Sequence, residues 1–121
     1  MLEDNLFANK EWLEANKETA VKFVRASLKG WKDAISNPEE AVDIVMKSAE
    51  EGSTSRDHQL KMMTEVAKLV APEGFDINNL GLINEEMFKQ TADIALKFGV
   101  IEKESNLEEA FTNEIVEMAM K

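Results

Sequence analysis

The chain has no cysteine and no tyrosine, and only one histidine, two prolines and five glycines among 121 residues. Without cysteine there are no disulfides, thiolate metal sites or cysteine nucleophiles; the lack fits an oxidising compartment without requiring one. A single histidine, His58, cannot complete a two-histidine zinc site, and no His-Glu-x-x-His pattern occurs. Glycine is too sparse for a phosphate cradle: Gly-x-Gly-x-x-Gly and the P-loop pattern are both missing. No stretch approaches the roughly 18 apolar residues of a membrane-spanning helix. The opening residues Met1 to Asn5 lack the basic and apolar regions of a signal peptide, so the chain as written would stay in the cytosol. Basic residues are also short, 14 against 24 acidic, for a net charge of −10. That charge repels polyphosphates and anionic lipid, and so argues against a nucleic-acid partner.

What is present is apolar residue at helical spacing. Hydrophobic residues make up 44% of the sequence, enough for one folded domain with a core of its own. The stretch 16–52 organises the rest, as two helices meeting at a corner. Ala20, Val24, Leu28, Trp31 and Ile35 share one face of the first. Asn37-Pro38-Glu39-Glu40 reads as cap, first-turn proline and capping-box glutamate, and Gly52 as the stop. Helices are expected over about 10–15, 17–36, 38–51, 56–71 and 85–98, with a last one starting at about 107. Asn9 and Ser55 are further caps, and asparagine followed by glutamate opens helices at 16, 37, 84 and 106. Pro72 ends one helix and Gly99 another. Residues 72–83 form a long connection that packs through Phe75, Ile77, Leu80, Leu82 and Ile83. Leu2 to Ala8 reads as a short extended segment. On the helix after residue 84, Met87, Phe88, Thr91, Ala92, Ile94, Ala95 and Phe98 are expected inward; Ala110, Phe111, Ile115, Met118 and Ala119 line the last helix. The fold class is all-α, with five to six helices covering about two-thirds of the chain against about one third in an average domain.

Searching these elements for chemistry returns structural residues. His58 lies in a first helical turn beside Asp57 and near the cap Ser55. The pairs Glu39-Glu40, Glu85-Glu86 and Glu108-Glu109 fall at helix starts, where the macrodipole favours negative charge, and Glu50-Glu51 near a helix end. A dicarboxylate metal site would need Glu-x-x-His on facing helices. The two tryptophans and six phenylalanines read as core, as do the seven methionines, which could alternatively line an adaptable partner groove. No catalytic, cofactor-binding or metal-binding residue is assigned, and any ligand-binding residues are unknown.

Phe23-Val24-Arg25-Ala26-Ser27-Leu28-Lys29-Gly30-Trp31, with Ala34 and Asn37-Pro38-Glu39-Glu40-Ala41-Val42, resembles the C-terminal region of periplasmic solute-binding proteins of ABC importers. The subgroup is the one that binds thiamine pyrimidine precursors, nitrate, taurine and alkanesulfonates. Further segments follow in the family's order: Leu6-Phe7-Ala8-Asn9, similar to the chain leaving the inter-lobe hinge; Thr91-Ala92-Asp93 with Leu96 and Phe98-Gly99-Val100-Ile101, similar to a helix end; and Leu107 to Glu114, similar to the terminal helix. A complete member has two α/β lobes, of which this chain would be only the final third. The ligand contacts of the family lie mostly in the parts not represented, so none is carried over. Gly30-Trp31 reads as packing, with glycine permitting close helix approach and the indole filling the gap.

The resemblance implies a single helical domain over residues 1–121 that is a fragment of a larger two-lobe protein. Its role would be to brace lobes and hinge in a parent that is periplasmic or otherwise extracytoplasmic. Its partners would be the remaining lobes and an ABC importer. No enzymatic activity and no cofactor are expected. Apolar faces left uncovered would drive self-association of the isolated chain. Two other classes stay open: a stand-alone helical interaction module binding a protein through a methionine-lined groove, and a binder of a small heteroaromatic or anionic solute between its helices.

Overall fold

The computed structural model describes residues 5–121. Among them are seven α-helices and no strand, as the all-α reading expects. They are α1 (Lys10–Ala15), α2 (Lys17–Ser36), α3 (Pro38–Ser48), α4 (Arg56–Val70), α5 (Glu85–Lys97), α6 (Leu107–Ala110) and α7 (Glu114–Ala119), with one 3-10 turn at Ile77–Asn79. Of the expected extended segment Leu2 to Ala8, residues 2–4 lie outside the described residues, and 5–9 are in neither helix nor strand.

Side-chain caps start four of the helices. Asn9 accepts from the Trp12 amide at 3.0 Å, Ser55 from His58 at 3.3 Å, Asn84 from Met87 at 2.9 Å and Asn106 from Glu108 at 3.2 Å. Each satisfies one amide that has no partner inside its helix. Asn16 and Asn37 behave otherwise. Asn16 closes α1, its side-chain amide donating to the Trp12 carbonyl at 2.9 Å, and does not cap α2. Asn37 makes no side-chain cap bond. Its own amide donates to the Asp33 carbonyl at 2.8 Å. That bond completes the last turn of α2, so the reciprocal half of a capping box has no orphan donor for Glu40 to satisfy.

Two helix ends differ from the sequence reading. α3 stops at Ser48, three residues early, because Ala49 is extended (ψ 140°). Gly52, with φ +79°, then serves the following turn, where the Ser53 amide and hydroxyl both donate to the Glu50 carbonyl. Gly99 is the stop the sequence indicates. It has φ +71°, its amide donates to Leu96, and the Val100 amide donates to Ala95 at 2.8 Å. This pair of bonds is the Schellman arrangement, and it needs a left-handed residue that glycine supplies without steric cost.

By its contacts the chain divides into two compact units, one of residues 1–24 with 81–121 and one of residues 25–80. In the first, Ala20, Val21, Ile115 and Ala119 are buried. One asparagine makes a long-range contact within it. The Asn113 side chain accepts from the Ile83 amide at 2.8 Å and donates to the Ile83 carbonyl at 3.0 Å. Both polar groups of a part-buried backbone are thereby satisfied by a residue 30 positions away. Phe88 and Phe111 meet alongside, with centroids 4.8 Å apart, and Lys17 pairs with Glu114. These contacts explain why the single last helix expected from the sequence is two short ones. Phe111 is extended (φ −149°, ψ 167°), and Thr112 accepts from the Glu114 amide at 3.1 Å to restart the chain as α7. In the second unit α3 packs on α4, and Val42 and Leu80 are buried. Leu80 belongs to the 72–83 connection; of the other residues expected to pack it, Ile77, Leu82 and Ile83 are half-buried and Phe75 is exposed.

The core is much smaller than the composition suggests. Only six described residues are buried, and two of them are alanines. The expected inward face of α5 is half open: Met87, Ile94 and Phe98 are exposed, Phe98 by 74%. Leu69 on α4 is 82% exposed and Phe7 98%. Replacing Asn113 by alanine removes both bonds to Ile83 and leaves that backbone unsatisfied. The expected loss is about 1–3 kcal/mol, read as a lower urea midpoint by circular dichroism; an unchanged midpoint would show that Asn113 does not hold this unit.

Candidate functional site

Within the second unit, three helices present uncharged residues to a common groove of about 510 Å³. α2 contributes Ser27, Gly30, Trp31 and Ala34, spaced i, i+3, i+4 and i+7, which is one helical face. α4 contributes Gln59, Met62, Met63 and Val66 at the same spacing, and α3 adds Ala41, Val42 and Val45. Val42, 3% exposed, is buried at the base of this set. Trp31 remains 37% exposed and Met62 48%. The Gln59 amide nitrogen donates to the Thr54 hydroxyl at 3.0 Å, which fixes the orientation of the amide.

Gly30 corrects the packing role expected for Gly30-Trp31. A Cβ built on Gly30 meets nothing within 4 Å. No helix approaches it closely, and the indole beside it lines an open groove. The methionines are corrected in the same way: Met62, Met87, Met118 and Met120 are exposed, and Met62 and Met63 line the groove. The spacing of α4 carried this signal, but spacing alone does not say whether a face is covered.

Charge lies beside the groove. Arg56 donates from Nε to Asp43 at 2.6 Å and stands 3.6 Å from Glu39, joining the start of α4 to α3. The hydrogen bond from Arg56 holds the Asp43 carboxyl below its ordinary value, and Asp43 raises Arg56 in turn. Lys22 lowers Glu18 through a helical i,i+4 pair, and Asp93 raises Lys89 likewise. None of these groups lines the groove, so the shifts report surface ion pairs. His58 is exposed in the first turn of α4 beside its cap. Glu39-Glu40, Glu85-Glu86 and Glu108-Glu109 occupy first turns of α3, α5 and α6, while Glu50 and Glu51 fall in the connection after α3. Among the described residues no three histidine or acidic side chains gather closely enough to hold a metal ion. A second, smaller depression runs along α4 alone, between Asp57 and Glu65, and faces no other helix.

The α2 wall of the groove lies in the part of the chain with a recognisable relation. Residues 1–41 match the NMT1/THI5 like family. That match spans α1, α2 and the start of α3. The chain is also similar to the riboflavin-binding protein RibY of Chloroflexus aurantiacus, at 31% identity over 104 residues. The alignment takes in 84% of this chain and 29% of that relative, so the chain spans less than a third of its length. No solved structure matches the chain. The family match takes in 41 of the 121 residues, and the relative that the chain resembles is named for riboflavin binding.

Gly30 lies inside a helix with no neighbour to clash against, so Gly30→Ala should stabilise the protein by about 0.5–1 kcal/mol. A rise in melting temperature checks it; a fall would restore the close-approach reading. The Asp43 shift sets a second expectation. A carboxylate whose value is lowered in the folded state contributes stability that is whole above its unfolded value, near pH 4. That contribution is lost as pH falls through the folded value. Asp43→Asn should therefore lower stability at pH 7, and its gap from the parent should close in strong acid. A gap independent of pH would refute the ion-pair account.

Proposed function

We propose that the chain is the C-terminal helical portion of an extracytoplasmic solute-binding protein that delivers a small solute to an ABC importer. Its part in that protein is to brace the lobes, not to perform chemistry. The observation that carries this reading is the mismatch between well-formed helices and an uncovered surface. Caps, a Schellman stop and internal ion pairs complete the helices one by one, yet Phe98, Val100, Leu69 and Met62 stand exposed. A bracing segment presents such faces to the lobes it supports. The partial span of the riboflavin-binding relative agrees with a portion of a longer protein. That relative's name favours a heteroaromatic solute, of the pyrimidine-precursor kind, over nitrate, taurine or a sulfonate.

A second reading, a stand-alone helical interaction module, is favoured by the groove with Met62 and Met63 in its wall. Sedimentation of the purified chain separates the two. The bracing reading expects copies to cover one another's apolar faces, giving a dimer or larger species. A sharp monomer of 13.6 kDa across the micromolar range would overturn it in favour of the module.

A further inference from the structure

We propose that residues 107–121 form a detachable strap, and that two copies of this chain associate by exchanging it, each seating the other's α6 and α7. This rests on the bracing reading, which expects the isolated chain to associate, and names how. The strap has little internal support. α6 has four residues and α7 six, fewer than the roughly 12–15 that a helix needs to persist alone in water. Its order comes from outside. Asn113 bonds both backbone groups of Ile83, Phe111 meets the Phe88 ring, and Glu114 pairs with Lys17 on α2. Ile115 and Ala119, on the inner side of α7, are buried. Lys17, Ile83 and Phe88 all precede the connection that leads from α5 to the strap, so the seat stays whole when the strap leaves it.

The connection permits the exchange. Its residues 102–106 are all exposed and in neither helix nor strand. Extended, those five residues reach roughly 17 Å, enough to carry the strap away from its own seat. Every contact of strap with seat is then remade with identical residues of the other copy, so the closed monomer and the exchanged dimer differ chiefly at the connection. There the dimer gains. Phe98 and Val100, where the connection starts, are 74% and 77% exposed. Two connections running side by side let these side chains cover one another and leave water. Against this stands like charge, −10 on each copy, with Glu102 and Glu104 in the connection itself. Salt screens that repulsion without touching the apolar gain.

The lack of cysteine makes the test direct. Lys17→Cys and Glu114→Cys are placed in separate full-length chains, mixed in urea, refolded together at about 0.3 M salt and treated with bis(maleimido)ethane. The pair they replace is a surface ion pair, so the fold survives its loss. In an exchanged dimer the two thiols belong to different chains but meet at one seat. The mixture should therefore give about tenfold or more covalent heterodimer than either variant gives alone. The double variant in one chain shows that the reagent spans the pair, since it cross-links in the closed and exchanged forms alike. Phe98→Ser with Val100→Ser should raise the dimer dissociation constant about tenfold or more and keep the helical spectrum, because both residues are exposed. A sedimenting dimer that gives no excess heterodimer, or one untouched by the Phe98 and Val100 replacements, would overturn the exchange while leaving the bracing role standing. A sharp monomer would overturn both.

Discussion

An amphipathic helix is stable in water only when its apolar stripe meets another apolar surface. This chain has more stripes than surfaces to receive them. Val42 and Leu80 in one unit, and Ala20, Val21, Ile115 and Ala119 in the other, are the described residues that are buried. No described side chain is sealed to the point of complete burial. Everything else about the structure follows from this shortage: the open side of α5, the exposed tip at Phe98, and the groove bordered by Trp31 and Met62.

Local polar bonds carry the order that a larger core would otherwise impose. Asn113 reaches back to both backbone groups of Ile83. Arg56 ties the start of α4 to Asp43 and Glu39 on α3. Such surface ion pairs contribute little individually, because solvent screens them. Here they join α3 and α4, the two helices that also pack on one another. Hydrogen bonds to part-buried backbone are the stronger constraint, because breaking them leaves an unsatisfied group.

The groove and the ion pairs occupy different parts of the surface. The titratable groups with shifted values sit in surface ion pairs, and the groove residues have no charge to move.

The sequence by itself determined the helices and most of their ends. Capping is a contact between residues two or three apart, so Asn9, Ser55, Asn84 and Asn106 could be read from order alone, as could Gly99. It failed where a local signal met a competing bond. Asn16 turned back to α1, the Asn37 amide was already taken by α2, and Phe111 left the helical path next to Phe88. The groove was legible only in part: i, i+3, i+4, i+7 spacing marks the faces of α2 and α4 but not what lies opposite them. Tertiary structure alone decided that Gly30 adjoins open space, that Trp31 is a wall and not a core residue, and that Phe98 and Leu69 stay exposed. The physical reason is that periodicity reports which residues share a face, whereas burial depends on whether a second surface arrives to cover it.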